Sequence, residues 1–341
     1  MTLKALLARI HIDVFLILLA ATVGLAVILP ARGAAAPIMT LVSNGAVGLL
    51  FFVYGARLAP RAVMEGLGHW RLQSLVFAST YVLFPLLGLA LTFALRSFIP
   101  HELSVGLMFV CVLPSTVQSS IAFTAIARGN VSAALCSASV SNMLGVVLTP
   151  LLVVILLDTH GAGFSSRALE DICLQLLVPF AAGQLVRPLI GTWLLQNKAV
   201  TTVVDRGSVL VVVYAAFSEG MVNGIWSQVS LGSVVAVMAL DAVLLALVLV
   251  ITTTVSRLMG FSREDEIAIV FCGSKKSLAA GVPMAQILFP ASAVGLIVLP
   301  VMLFHQIQLF ACATLAQRYA NQSRRKTPSA PAFAVMLDHA Q

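Results

Sequence analysis

The sequence predicts an all-α integral membrane protein with ten transmembrane helices in two inverted five-helix repeats. Three observations carry this expectation. The chain is 60% hydrophobic and only 10% charged over 341 residues, with a mean hydropathy of +1.03. Soluble domains carry roughly a quarter charged residues, and a globule of this size lacks the interior to hide so much apolar surface. The apolar runs are about 20 residues long, the length that crosses a bilayer as a helix, and they lack the alternation of barrel strands. Lys and Arg fall mainly in every second connection, on one side of those runs. The net charge of +7 and pI near 9.5 therefore read as basic loops beside anionic lipid, not as a nucleic-acid surface.

Ten spans follow in order: 12–30, 38–58, 73–97, 103–127, 131–157, 169–190, 207–225, 231–256, 265–289 and 292–317. The first follows Lys4 and Arg9 and ends in ARGAAA, as a cleaved secretory signal would. Its apolar run from Val14 to Ala31 is longer than an ordinary signal core, so it reads as a retained helix. With the N-terminus in the cytoplasm, fifteen of the 20 Lys and Arg lie inside and three outside, and the remaining two are Lys275 and Lys276. That bias places both termini in the cytoplasm of a multi-pass inner or plasma membrane protein, and the loop Asp158–Glu170 outside. The segment 321–341 is rich in Ser, Pro and Ala, with a basic cluster at Arg324–Lys326, and reads as a disordered cytoplasmic tail.

Landmarks recur at an offset near 160. Pro30, which ends the first span, answers Pro188, which ends the sixth; Tyr54 answers Tyr214, and Pro114-Ser115-Thr116 answers Gly273-Ser274-Lys275. This divides the chain into repeats 1–160 and 161–320. Five helices is an odd number, so the second repeat must lie upside down relative to the first. The five cysteines sit in apolar runs without CxxC spacing and read as core residues. Gly45, Gly48, Gly220 and Gly224 read as close-packing positions.

Two stretches carry the chemistry. The fourth span is interrupted by Leu113-Pro114-Ser115-Thr116-Val117-Gln118-Ser119-Ser120. Pro114 removes a backbone donor, and Ser119 and Ser120 are candidate N-caps for a second half-helix ending near Arg128. The ninth span contains Phe271–Ala285, FCGSKKSLAAGVPMA, which places Lys275 and Lys276 between Ser274 and Ser277 at membrane depth. A buried charge there costs a few kcal/mol and is kept with a partner or a polar cavity. Successive helix positions diverge by about 100°, so the two lysines face different ways. Three roles stand open. One lysine replaces a bound cation among the carbonyls of the fourth span, or one binds an anionic substrate, or both are structural and pair with the intramembrane carboxylate Asp241 or with Glu219 near the outer end of the seventh span. His305, Gln306 and Gln308 in the tenth span read as interhelical hydrogen-bonders. No HExxH, GxSxG or nucleotide loop is present, so the chain does not read as an enzyme.

LPSTVQSS with ARGN and then TPLL, FVYGARLAP at Phe52–Pro60, and FCGSKKSLAAGVPMA followed by LPVMLFHQIQL together resemble the SBF-like branch of the bile acid:sodium symporter superfamily. The resemblance runs from Leu7 to Tyr319. It implies ten helices with broken, crossing fourth and ninth spans. It also implies a panel domain of about 12–58 and 169–225, and a core domain of about 73–157 and 231–317. Sodium-dependent members hold two sodium ions at that crossing. By the resemblance, their ninth-span glutamate and glutamine fall near Phe271 and Lys275, their fourth-span Ser-Asn pair corresponds to Ser119-Ser120, and a later hydroxyl falls near Ser137. A carboxylate is lost here and a cation gained.

The reading is a secondary transporter of a small organic anion, working by alternating access and coupled to sodium or protons, with a lysine in place of a bound sodium. The candidate binding residues are Ser115, Thr116, Gln118, Ser119, Ser120, Ser137, Ser274, Lys275, Lys276 and Ser277, with Asp241 as charge partner. No metal other than sodium, no organic cofactor and no nucleic acid is expected. The resemblance also leaves open a regulator of calcium homeostasis or a channel-like protein.

Overall fold

The computed structural model describes residues 14–57, 69–95, 99–157, 173–224 and 229–326. Among these there are helices and no strands. In chain order they are α1 (Val14–Ile28), α2 (Ala35–Arg57), α3 (Trp70–Ala78), α4 (Phe84–Leu95), α5 (His101–Val112), α6 (Val117–Ile126), α7 (Val131–Leu156), α8 (Val178–Gln196), α9 (Lys198–Val222), α10 (Leu231–Leu258), α11 (Arg263–Gly273), α12 (Leu278–Leu288) and α13 (Ala291–Lys326). One π-turn, Ser79–Leu83, joins α3 to α4, and another, Cys173–Leu177, leads into α8.

Eight helical stretches are long and apolar enough to cross a membrane, or nine if the bent pair α5–α6 is one span. The expected count of ten is not reached by length, because α1 has 15 described residues. The outer surface is apolar. Leu185, Leu189, Leu231 and Leu258 are each at least 80% exposed, a surface suited to lipid and costly in water.

Several boundaries differ from expectation. Pro188 lies inside α8 and does not end it; membrane helices tolerate an internal proline where neighbours satisfy the freed carbonyl. The seventh span begins at Lys198, nine residues before the expected 207, because its polar start is helical and directs Asp205 to Arg57, 3.1 Å away. The last helix runs to Lys326, past residue 321, where the tail was expected to begin. The rest of the tail, the loop Asp158–Glu170 and residues 1–13 lie outside the described residues.

α2 packs along α8 and α9, and α1 packs on α9. The tightest glycine contacts of this pair of helices are at Gly55 and Gly183. A Cβ at Gly55 would stand 2.0 Å from the carbonyl oxygen of Phe180, and one at Gly183 would stand 2.0 Å from that of Phe52. Gly45 and Gly224 face open space. The contact is reciprocal: each glycine receives the carbonyl three residues before the other. Gly55→Ala or Gly183→Ala must therefore push α2 and α8 apart. Each is expected to lower the unfolding temperature in detergent, with a cost of about 1–3 kcal/mol typical of overpacking. Gly45→Ala is expected to be neutral in the same measurement.

The ARGN turn ties the fourth span to the start of the ninth. α6 ends with Gly129 N–H donating to Thr124 O at 2.8 Å, and Arg128 takes φ 62°. Asn130 then caps α7 through Ala133 N, and its amide donates to Asp265 Oδ1 at 2.8 Å.

Candidate functional site

The breaks α5–α6 and α11–α12 lie against each other, and many of the backbone groups they release bond across to the other break or to its neighbours. Satisfying such groups inside protein is what permits non-helical backbone at membrane depth. The fourth span bends by 60°. Its freed carbonyls are taken in turn. Val112 O accepts from Thr149 Oγ1 at 2.8 Å, and Pro114 O accepts from the Ser277 N–H at 2.8 Å. Ser115 N–H donates to Ser141 Oγ at 3.0 Å. In return the fourth span's hydroxyls donate to the ninth. Ser115 Oγ reaches Cys272 O at 2.6 Å, Thr116 Oγ1 reaches Lys276 O at 2.9 Å, and Ser120 Oγ reaches Phe271 O at 3.0 Å.

Ser119 and Ser120 are not N-caps. The half-helix begins at Val117, directly after Pro114-Ser115-Thr116, so Thr116 holds the cap position without a side-chain cap bond. Ser119 Oγ is buried without a hydrogen-bond partner. In the ninth span, Ser274 Oγ bonds back to Val270 O at 2.6 Å, and Ser277 caps α12 through Ala280 N. α11 and α12 are not bent as sharply as α5 and α6, and together they count as a single span, Arg263–Leu288.

The two lysines have opposite surroundings. Lys276 is 1% exposed, and its Nζ lies 2.8 Å from each of three carbonyl oxygens, those of Thr80, Cys111 and Leu113. Three donors meet three acceptors, so the ammonium is saturated. The ring of Phe84 lies 4.1 Å away. The carbonyls of Cys111 and Leu113 are free because α5 stops. Thr80 O is free for a reason legible in the sequence. The π-turn bonds residue i to i+5, as Phe84 N–H to Ser79 O does. In that register the next donor would be residue 85, which is proline and has no N–H.

The backbone of Lys276 is held as well. Gln308 accepts from its N–H at 2.9 Å and donates to its carbonyl at 2.8 Å. Lys275 is fully buried and its Nζ makes no hydrogen bond. It lies 3.9 Å from the centre of the Phe123 ring and 5.3 Å from that of Phe271.

Of the three open roles, the pairing of a lysine with Asp241 does not form. Both oxygens of Asp241 are buried without a hydrogen-bond partner, and Lys276 has no donor left to offer.

A cavity of about 400 Å³ opens beside the breaks. Thr116, Gln118, Ser119 and Ser277 line one wall; Tyr54, Arg57, Asp205 and Arg206, from α2 and α9, line the facing wall. A second cavity of about 250 Å³ between α3 and α7 holds Ser137 and Gln73. Each of these carries a buried polar atom without a partner.

The structure thus gathers Ser115, Thr116, Ser120, Lys276 and Ser277 at the meeting of the breaks. Gln118 and Ser119 face the large cavity, Ser137 faces the small one, and Lys275 stands apart among aromatic rings. Sequence reasoning passed over Thr80, Arg57, Asp205 and Arg206. Phe84-Pro85 within an apolar span was the available signal for the first.

A family model described as the SBF-like CPA transporter family matches residues 13–321. The chain is 56% identical over 94% of its length to an uncharacterised protein of Pseudomonas aeruginosa, covering 96% of that protein. It is 49% identical over 92% of its length to a protein of Escherichia coli K12 named "Putative symporter YfeH", covering 95% of it. It is 27% identical over 91% of its length to sodium/bile acid cotransporter 7 of Rattus norvegicus, covering 93% of it.

Proposed function

The chain belongs to the SBF-like CPA transporter family, and from that premise we propose that it moves a small organic anion by alternating access, with Lys276 as a built-in cation that makes bound sodium unnecessary. The family is one of membrane transporters and not of enzymes. The observation that carries the reading is the Lys276 ammonium among three backbone carbonyls where two broken spans meet. Carbonyls gathered at a helix break are what a transported cation would otherwise find. Here the chain supplies its own positive charge, in a span where the resemblance places the carboxylate of sodium-dependent members near Phe271.

In this reading the ten segments form two inverted repeats. The panel is α1, α2, α8 and α9, and the core is the remainder. The charge bias puts Arg57 and Arg206 at the cytoplasmic face of an inner or plasma membrane, so the 400 Å³ cavity opens inward. Near the middle of α2, Gln286 of α12 bonds Ser43 at 2.6 Å and Asn44 at 3.2 Å, a bridge between panel and core. Ser137 and Ser274 line or brace the core behind the crossing.

Purified protein in liposomes, offered a panel of radiolabelled organic anions, is expected to accumulate at least one of them equally well in sodium and in choline medium. No accumulation of any anion, or accumulation only in sodium, would contradict the proposal.

A further inference from the structure

We infer that Arg57 and Arg206 form an anion-reading wall in the 400 Å³ cavity, and that Asp205 is an internal counter-ion which a carboxylate or sulfonate displaces from Arg57. The inference rests on the transporter reading for its biological role, but its physical basis lies in the cavity alone.

Arg57 touches Asp205 through one nitrogen only, Nη1 to Oδ2 at 3.1 Å. A guanidinium offers five donors in a planar fork that matches an acid group through two parallel bonds. The present contact leaves that fork under-used. Asp205 is under-used as well, because its Oδ1 is buried and makes no hydrogen bond. Its side chain is 10% exposed, against 30% for Arg57. The pair is therefore half made from both sides, and it stands at the edge of a cavity large enough for a ligand.

Charge gives the ligand its sign. The lining contains two arginines and a single carboxylate. Arg206 is the next residue after Asp205, and its guanidinium stacks 5.2 Å from the ring of Phe15, held on the same wall. An anion can take the open fork of Arg57 while Arg206 stays near. On the facing wall Gln118 is exposed and offers an amide to the ligand's other end. A neutral molecule of the same shape offers Arg57 nothing better than Asp205. Discrimination then comes from the competing internal carboxylate, a repulsive element built in beside the attractive one.

The test uses purified full-length protein and two matched probe pairs: benzoate with benzamide, and cholate with its methyl ester. Dissociation constants are measured by calorimetry for the unmodified chain, for Asp205→Asn, and for Arg57→Gln with Asp205→Asn. The double variant avoids leaving a buried carboxylate without its arginine. Asp205→Asn is expected to bind at least one carboxylate about tenfold more tightly than the unmodified chain, a change of about 1.4 kcal/mol. The double variant is expected to lose that gain, and the neutral partners are expected not to change. Carboxylate binding that is unaltered, weakened or undetectable in Asp205→Asn would overturn the inference, as would an equal gain for the neutral probes. Tightened binding without uptake into liposomes would reject the transport reading and leave the clamp standing. Uptake with no effect of Asp205→Asn on binding would do the reverse.

Discussion

Lys276→Met is expected to destabilise the folded protein severely, while Lys275→Met next to it is expected to be neutral or stabilising. Lys276 serves three carbonyls at once, and each acceptor left unmade in a buried site costs about 1–3 kcal/mol. Removing the ammonium also removes its own desolvation cost, which offsets part of that loss. The remainder is expected to be about 3 kcal/mol or more. Lys275 has no hydrogen bond to lose. Methionine fills a similar volume and makes favourable sulfur contacts with aromatic rings such as those of Phe123 and Phe271. Unfolding followed by temperature in detergent separates the two. Equal loss from both lysines, or greater loss from Lys275→Met, would mean that the carbonyl cage does not carry the stability assigned to it.

Gln308→Leu has the second largest expected effect. It strands the Lys276 N–H, whose partner is Gln308 Oε1, at a cost of about 1–3 kcal/mol. The Lys276 carbonyl is protected at first, because Thr116 Oγ1 still donates to it. Thr116→Val alone should therefore cost little, since Gln308 remains as donor. The double variant leaves that carbonyl with neither donor, and its cost is expected to exceed the sum of the single costs. Simple additivity in this cycle would show that the two side chains do not share the carbonyl.

Much of this arrangement is legible in the sequence because it depends on residue types that are costly in a membrane. Lysines, serines and prolines inside apolar runs mark the two breaks, and the breaks do meet. What the sequence hides is register. Thr80 enters the cage through a π-turn with Pro85 at the one position where a donor is missing, and no count of hydropathy exposes a shift of one residue per turn. Arg57 and Asp205 were hidden for another reason. A tally of basic residues treats every charge near a span's end as loop, while here the helix α9 extends through its polar start and carries Asp205 into a cavity wall. Asp241 misled in the opposite direction. A buried carboxylate and a buried lysine invite pairing, yet backbone carbonyls had already filled the lysine's three donors.

The central claim is that Lys276 occupies a place which would otherwise take a sodium ion. It is tested most directly without any substrate, by titrating sodium against potassium while following the thermal unfolding of the purified protein. The unmodified chain is expected to unfold at the same temperature in both salts. Lys276→Gln, which leaves the carbonyls of Thr80, Cys111 and Leu113 without their ammonium, is expected to be stabilised selectively by sodium, as binding to the native state alone requires. Selective sodium stabilisation of the unmodified chain, unchanged in Lys276→Gln, would contradict the account.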